Sequence, residues 1–175
     1  TTPTMPLKNL PDMLAMQRNY NTFKAKLPQF VGSTAVSFFK DNFKRQGFLE
    51  DTGTKKWQDR KTKEKGRRRA ILIKSGALRR SVQVKKAGYS ANKIYVIVGS
   101  DMPYAQIHNQ GGIINTTQQV RQHSRRTKTK IATVKAHQRN VNTTIPQRQF
   151  AGDSLRLHKT IKYHIFKKLK HILTF

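Results

Sequence analysis

ILIKSGALRRSV (71–82), KIYVIVGS (93–100) and DMPYAQIHNQGG (101–112) decide the fold of this chain. Their glycines, Pro103 and the adjoining aromatic and histidine fall at changes of structure and not in a repeat, so they punctuate one specific fold. Ala70–Ile73 is a short apolar run, and Ser75-Gly76 turns the chain. Leu78, Arg80, Val82 and Val84 alternate with Arg79, Ser81 and Gln83 at period two, which predicts a strand; Arg80 interrupts its apolar face, so a helical first turn is the alternative. After a turn over 86–92, Ile94, Val96 and Val98 alternate with Tyr95 and Ile97, giving a strand apolar on both faces. The two segments are expected to pair as an antiparallel hairpin with helices on at least one side. Pro103–Gln110 reads as a short helix ending at Gly111-Gly112, where positive φ or close backbone approach costs little.

Working outward, Leu10, Met13, Leu14, Tyr20 and Phe23 keep helical spacing, with Asn9 as N-cap and Pro11 in the first turn; this helix is expected to end before Pro28. A second helix begins near Ser33, places Val36, Phe39 and Phe43 on one face broadened by Phe38, and meets a left-handed stop at Gly47. Residues 1–9 are polar and proline-broken, an N-terminal arm before a single α+β domain at 10–175. At the other end Asp153 is the expected N-cap of a helix on which Leu157, Ile161, Ile165, Leu169 and Ile172 or Leu173 recur at helical steps. That helix closes the core, with subunit packing as the sharper alternative.

Composition bounds the partners. With 36 Lys+Arg against 8 Asp+Glu, the net charge is +28 on 175 residues, and a compact chain of that charge repels itself unless something acidic is close. A polyanion of regular charge spacing fits better than a membrane, since no apolar run approaches the length of a span. There is no cysteine, which excludes disulfides and thiolate zinc sites; nothing at the start of the sequence resembles a signal peptide, so the cytosol is the expected place of synthesis. Two stretches hold much of the charge. Residues 48–69 carry Lys61, Lys63, Lys65, Arg67, Arg68 and Arg69 with little apolar periodicity, and are expected to form a long mobile or partner-ordered loop that Trp57 pins to the core. Residues 115–144 carry Arg121, Arg125, Arg126, Lys128, Lys130, Lys135 and Arg139 without an acid, amid Thr, Gln and Asn, and read as flexible when alone and as phosphate-contacting.

Catalysis finds no footing. The acids are scattered, and the adjacent pair Glu50-Asp51 points apart on an extended chain. No phosphate-binding glycine loop, nucleophile elbow, HExxH or zinc-finger spacing occurs. His108 lacks a carboxylate or second histidine at ligand spacing and reads as a packed residue, while His158, His164 and His171 are too far apart to share one metal. No cofactor is expected.

The ordered blocks FKRQGF, WQDRKT, ILIKSGALRRSV, VIVGSDMPYAQIHNQGG and IPQRQFAGDS, spanning Phe38 to Ser154, resemble the phage virion-morphogenesis or tail-completion family of Mu-like phages. The resemblance implies a compact α+β subunit with helices on an antiparallel sheet. It also implies a non-enzymatic role in a homo-oligomeric ring at the head–tail junction, made in the host cytoplasm and touching portal or adaptor and tail proteins. In such a ring the basic arms would meet packaged DNA, and Tyr104, Ile107, His108, Gly111 and Gly112 would lie at protein contacts. The tract 115–144 is longer than the compact connection the family leads one to expect, and the N-terminal arm is additional, which leaves the position in the virion open. A cellular nucleic-acid-binding protein of ribosomal type, and a tail terminator ring without DNA contact, are the rival readings.

Overall fold

In the computed structural model the described residues are 12–60, 69–90 and 93–173. Helix α1 (Met13–Arg45) is the spine. It runs straight through Pro28, where two helices were expected. Proline removes the hydrogen bond to the carbonyl four residues back, a cost of about 3 kcal/mol in a helix interior; burial of Pro28 and of Gly32, Ala35, Phe39, Asn42 and Phe43 on the following turns holds the helix together. Asp12 is the N-cap, accepting from the Ala15 N–H at 3.0 Å, while the expected cap Asn9 lies outside the described residues. The left-handed stop falls on Gln46 (φ 55°) and not on Gly47. Gln46 is held there because its amide bonds both the N–H and the C=O of Ile71.

The segment expected to be a loop begins as a hairpin, β1 (Gly47–Leu49) against β2 (Thr54–Lys56), since Phe48 is buried and draws the strand onto the core. Residues 61–68 of that expected loop lie outside the described residues. Next comes α2 (Ala77–Ser81): the helical alternative holds over the start of the expected strand, because Leu78 is needed in the core cluster. Strands β3 (Gln83–Ser90) and β4 (Lys93–Gly99) form the expected antiparallel hairpin, but β3 continues through the predicted turn at 86–90. A register shift between Val84 and Lys86 marks a bulge, and Lys85, set free by it, pairs with Asp101. Helix α1 packs on this hairpin. A Cβ on Gly32 would lie 2.7 Å from Val84 Cγ2 and 3.2 Å from Val96 Cγ1, so glycine is what lets helix and sheet approach.

Helix α3 (Ala105–Gln110) ends as predicted at Gly111 (φ 75°) and Gly112 (φ 149°), and a Cβ on Gly111 would stand 2.9 Å from the Gln147 nitrogen. Strands β5 (Gly112–Val120), β6 (His123–Arg126), β7 (Ile131–Val134) and β8 (His137–Ile145) follow, then α4 (Leu155–Leu173). The α4 cap is Ser154 and not Asp153: the buried Ser154 hydroxyl accepts from the Leu157 N–H at 3.4 Å and donates to the Leu49 carbonyl at 2.9 Å, while Asp153 reaches His158 at 3.0 Å. The chain is therefore α+β, with helices packed on antiparallel sheet.

The core joins Phe39 and Phe43 of α1 to Trp57, Ile71, Leu78, Val82, Ala105, Phe150 and Leu157. Trp57 pins its segment as expected: the ring stands edge-on to Phe43 at 5.6 Å and its Nε1–H donates to the Gln149 carbonyl at 2.7 Å. That carbonyl belongs to an irregular stretch, 147–151, which has no strand partner, so its backbone polar groups need side chains. Asn42, fully buried, donates to the Phe150 carbonyl at 3.0 Å and accepts from the Leu49 N–H at 3.2 Å. Asn109 accepts from the N–H groups of Phe150 and Ala151 at 2.9 and 3.0 Å and donates to the Ala151 carbonyl. The Arg148 N–H goes to the His108 carbonyl at 2.8 Å, and its guanidinium to the Gln58 carbonyl.

Asn42→Ala strands one buried and one partly buried backbone group at about 1–3 kcal/mol each, so unfolding in urea should show a loss of about 2–6 kcal/mol. Asn42→Asp should also be destabilising, because it keeps the acceptor and loses the donor. Retention of full stability by both would show that the clamp is dispensable. His108 offers a pH test. Its pKa is lowered from the ordinary 6.5 by burial and then by Arg148, so the unfolded chain takes the proton more readily. The stability of the neutral state is complete above that ordinary value and declines as pH falls below it. Denaturation between pH 7 and 5 should therefore show a shallower decline for His108→Gln than for the parent.

Candidate nucleic-acid interface

Strand β5 pairs with β8 from Gly112↔Ile145 to Val120↔His137, and β6 pairs with β7 from His123↔Val134 to Arg126↔Ile131. The register is common to both: three residues forward on one strand match three back on the other. They are one hairpin interrupted at a single level, and it closes at Lys128-Thr129, where the Thr127 N–H donates to the Lys130 carbonyl at 2.8 Å and the Thr127 hydroxyl accepts from the Lys130 N–H. The predicted flexible tract is thus an ordered β-ribbon. Thr, Val and Ile favour an extended chain, and a tight turn aligns them without a core. At about 3.3 Å per residue the contour from Gly112 to the turn is about 50 Å.

Opposite residues of an antiparallel pair share a face. On the β5–β8 half one face shows Asn115 with Asn142, Thr117 with Asn140 (3.0 Å between side-chain oxygens) and Gln119 with Gln138; the other shows Ile114 with Thr143, Thr116 with Val141, and Gln118 with Arg139. Arg139 is fixed there by Nε and Nη2 donating to Gln118 Oε1 at 3.2 and 2.8 Å. The ribbon's cations, Arg121, Arg125, Arg126, Lys128, Lys130, Lys135 and Arg139, are exposed; all but Arg139, which sits opposite Gln118, lie beyond the β5–β8 ladder, whereas 112–120 and 140–145 carry no charge. The tip is therefore an unshielded cationic surface held away from the core. Arg69 is exposed on the main body; Lys61, Lys63, Lys65, Arg67 and Arg68 lie outside the described residues.

The residues expected at protein contacts converge at the root of the ribbon. Tyr104 is 40% exposed and meets the His108 ring edge-on at 5.9 Å. Ile107 lies against Gly112, where a Cβ would stand 2.8 Å from its Cδ1, and Gly111 abuts Gln147. His108 Nδ1 is buried without a hydrogen-bond partner. Ile107, His108 and Gly111 thus serve the internal joint, leaving the Tyr104 ring as the outward-facing group. Sequence reasoning missed Asn42, Asn109 and Arg148, whose polar side chains gave no sign of burial; the ribbon left a faint signal in β-branched residues on both sides of a Thr-Lys-Thr-Lys turn.

Carboxylates are engaged singly: Asp51 accepts from Lys159 at 2.6 Å, and Asp41 from Lys44 at 2.9 Å. Among the described residues no group of His, Asp or Glu is placed to hold a metal ion, and no helix is long and apolar enough to cross a membrane. No curated protein and no solved structure matches the chain. A model of the phage virion morphogenesis family matches residues 9–170, which takes in the α1 spine, the clamped stretch and the ribbon alike. With nearly the whole length matched, the chain belongs to the phage virion morphogenesis family.

Proposed function

We propose that the protein is a structural subunit of a tailed phage that forms a ring at the neck or tail-completion position, joining the portal to the tail around the DNA channel. The ribbon carries this reading, because it holds one-signed charge at the far end of an arm whose base is neutral. Identical subunits in a ring repeat each patch around the axis, and repeated cationic tips repel unless an anion lies among them. Packaged DNA is that anion, met at its phosphates without base reading. The basic segment including Arg69 adds to the same field, and Tyr104 at the ribbon root faces the neighbouring subunit or the portal, adaptor or tail ring. The role is one of assembly, not of catalysis.

Replacing Arg121, Arg125, Arg126, Lys128 and Lys130 together with Gln should weaken binding to all DNA sequences alike. For every phosphate no longer neutralised, the dependence of log K on log salt should flatten by about 0.9. Circular dichroism should be unchanged, since the tip buries no core. An unchanged salt slope in titrations would show that the ribbon does not meet DNA. Virions carrying the variant should join their tails and retain DNA poorly; a joining defect with DNA retained would assign the ribbon to a protein. For the purified parent in high salt, light scattering should report monomer, with rings forming on a portal or tail platform. Stable closed rings without a platform would refute templated assembly.

A further inference from the structure

A second surface lies away from the ribbon. As α4 proceeds from Thr160, its neighbours on α1 move backward from Ser37 toward Phe30, whose ring meets His164 edge-on at 6.0 Å. Next to that contact, residues of α1 and α4 line an open groove of about 1290 Å³. Phe23, Leu27, Phe30 and Ile172 line it, with Lys26, Lys167 and Lys168 among the polar lining residues and no Asp or Glu. The space exceeds the roughly 300–1,000 Å³ of a small-molecule site, and its lining runs from Asn19 to Ser33 on α1, as a groove for a segment of chain would.

We propose that this groove receives an acidic amphipathic helix of a partner protein. A helix with apolar residues at i, i+3, i+4 and i+7 would set them on Phe23, Leu27 and Phe30, while flanking Asp or Glu would reach Lys26, Lys167 and Lys168. Charge complementarity decides the occupant. A second copy of this chain, with 36 cations against 8 acids, would bring mostly like charge to the lysines, and duplex DNA would meet the lysines but leave the phenylalanines uncovered. The inference does not rest on DNA contact at the ribbon, which uses other residues.

The probe is a fluorescein-labelled synthetic peptide of Leu, Ala and Glu with Leu at heptad a and d positions. Its control has the same composition with the Leu positions scrambled. In anisotropy titrations at physiological salt the patterned peptide should bind at least tenfold more tightly. The double variant Lys167→Glu/Lys168→Glu, both exposed, should weaken it at least tenfold, as should Phe23→Ser; the ribbon-tip Gln variant should bind it like the parent. Circular dichroism checks folding, and if Phe23→Ser does not fold, the lysine variant decides. Equal binding of the two peptides, no effect of the lysine variant, or displacement of the patterned peptide by duplex DNA from the ribbon-tip variant would overturn the proposal, the last by assigning the groove to nucleic acid. Loss of DNA binding at the ribbon with peptide binding intact would separate the two surfaces.

Discussion

The backbone of residues 147–151 is the constraint on which the rest of the structure depends. It has no strand to pair with, yet Arg148 and Phe150 are buried in it, and an unpaired polar backbone there would cost several kcal/mol in total. Asn42 from α1, Asn109 from α3 and the Trp57 indole supply its partners. Each comes from a different part of the chain, so this stretch fixes the spine, the corner at the ribbon root and the segment after β2 relative to one another. Ser154, just beyond it, repeats the device by binding Leu49 while starting α4.

That rigid joint gives the ribbon its meaning. At its root Gly111 and Gly112 abut Gln147 and Ile107, so the arm emerges beside the clamped stretch. What emerges is uncharged near the body and cationic at the end. The arrangement keeps mutual repulsion among lysines and arginines away from the core, where low dielectric would magnify it, and delivers it to whatever the tip meets. The groove between α1 and α4 shows the opposite balance, with aromatic and aliphatic side chains among lysines. Ribbon and groove thus present different chemistry, exposed cations on the one and an apolar floor among lysines on the other.

Much of the framework is legible in the residues. Alternating apolar positions place the β3–β4 hairpin, Gly111-Gly112 marks the end of α3, the four-residue rhythm from Leu157 marks α4, and the lone Trp57 reads as a core anchor. Pro28 misleads, because local cost argues for a break while burial on neighbouring turns outweighs it. The tract at 115–144 misleads in the opposite sense: its lack of apolar residues argues for lack of structure, although a hairpin needs a turn and matched β-formers more than a core.

The sequence by itself determined the class of fold, the sign and excess of charge, the exclusion of disulfides, and the family, since periodicity, composition and block order are properties of the chain. Tertiary structure alone decided which polar residues are buried, that Gln46 takes the left-handed turn, and that the cations stand at the end of an ordered arm. The physical reason is that these depend on partners distant in sequence. Asn42 and Phe150 meet across 108 residues, and a ribbon's register is set by its opposite strand, so neither is written in any local window.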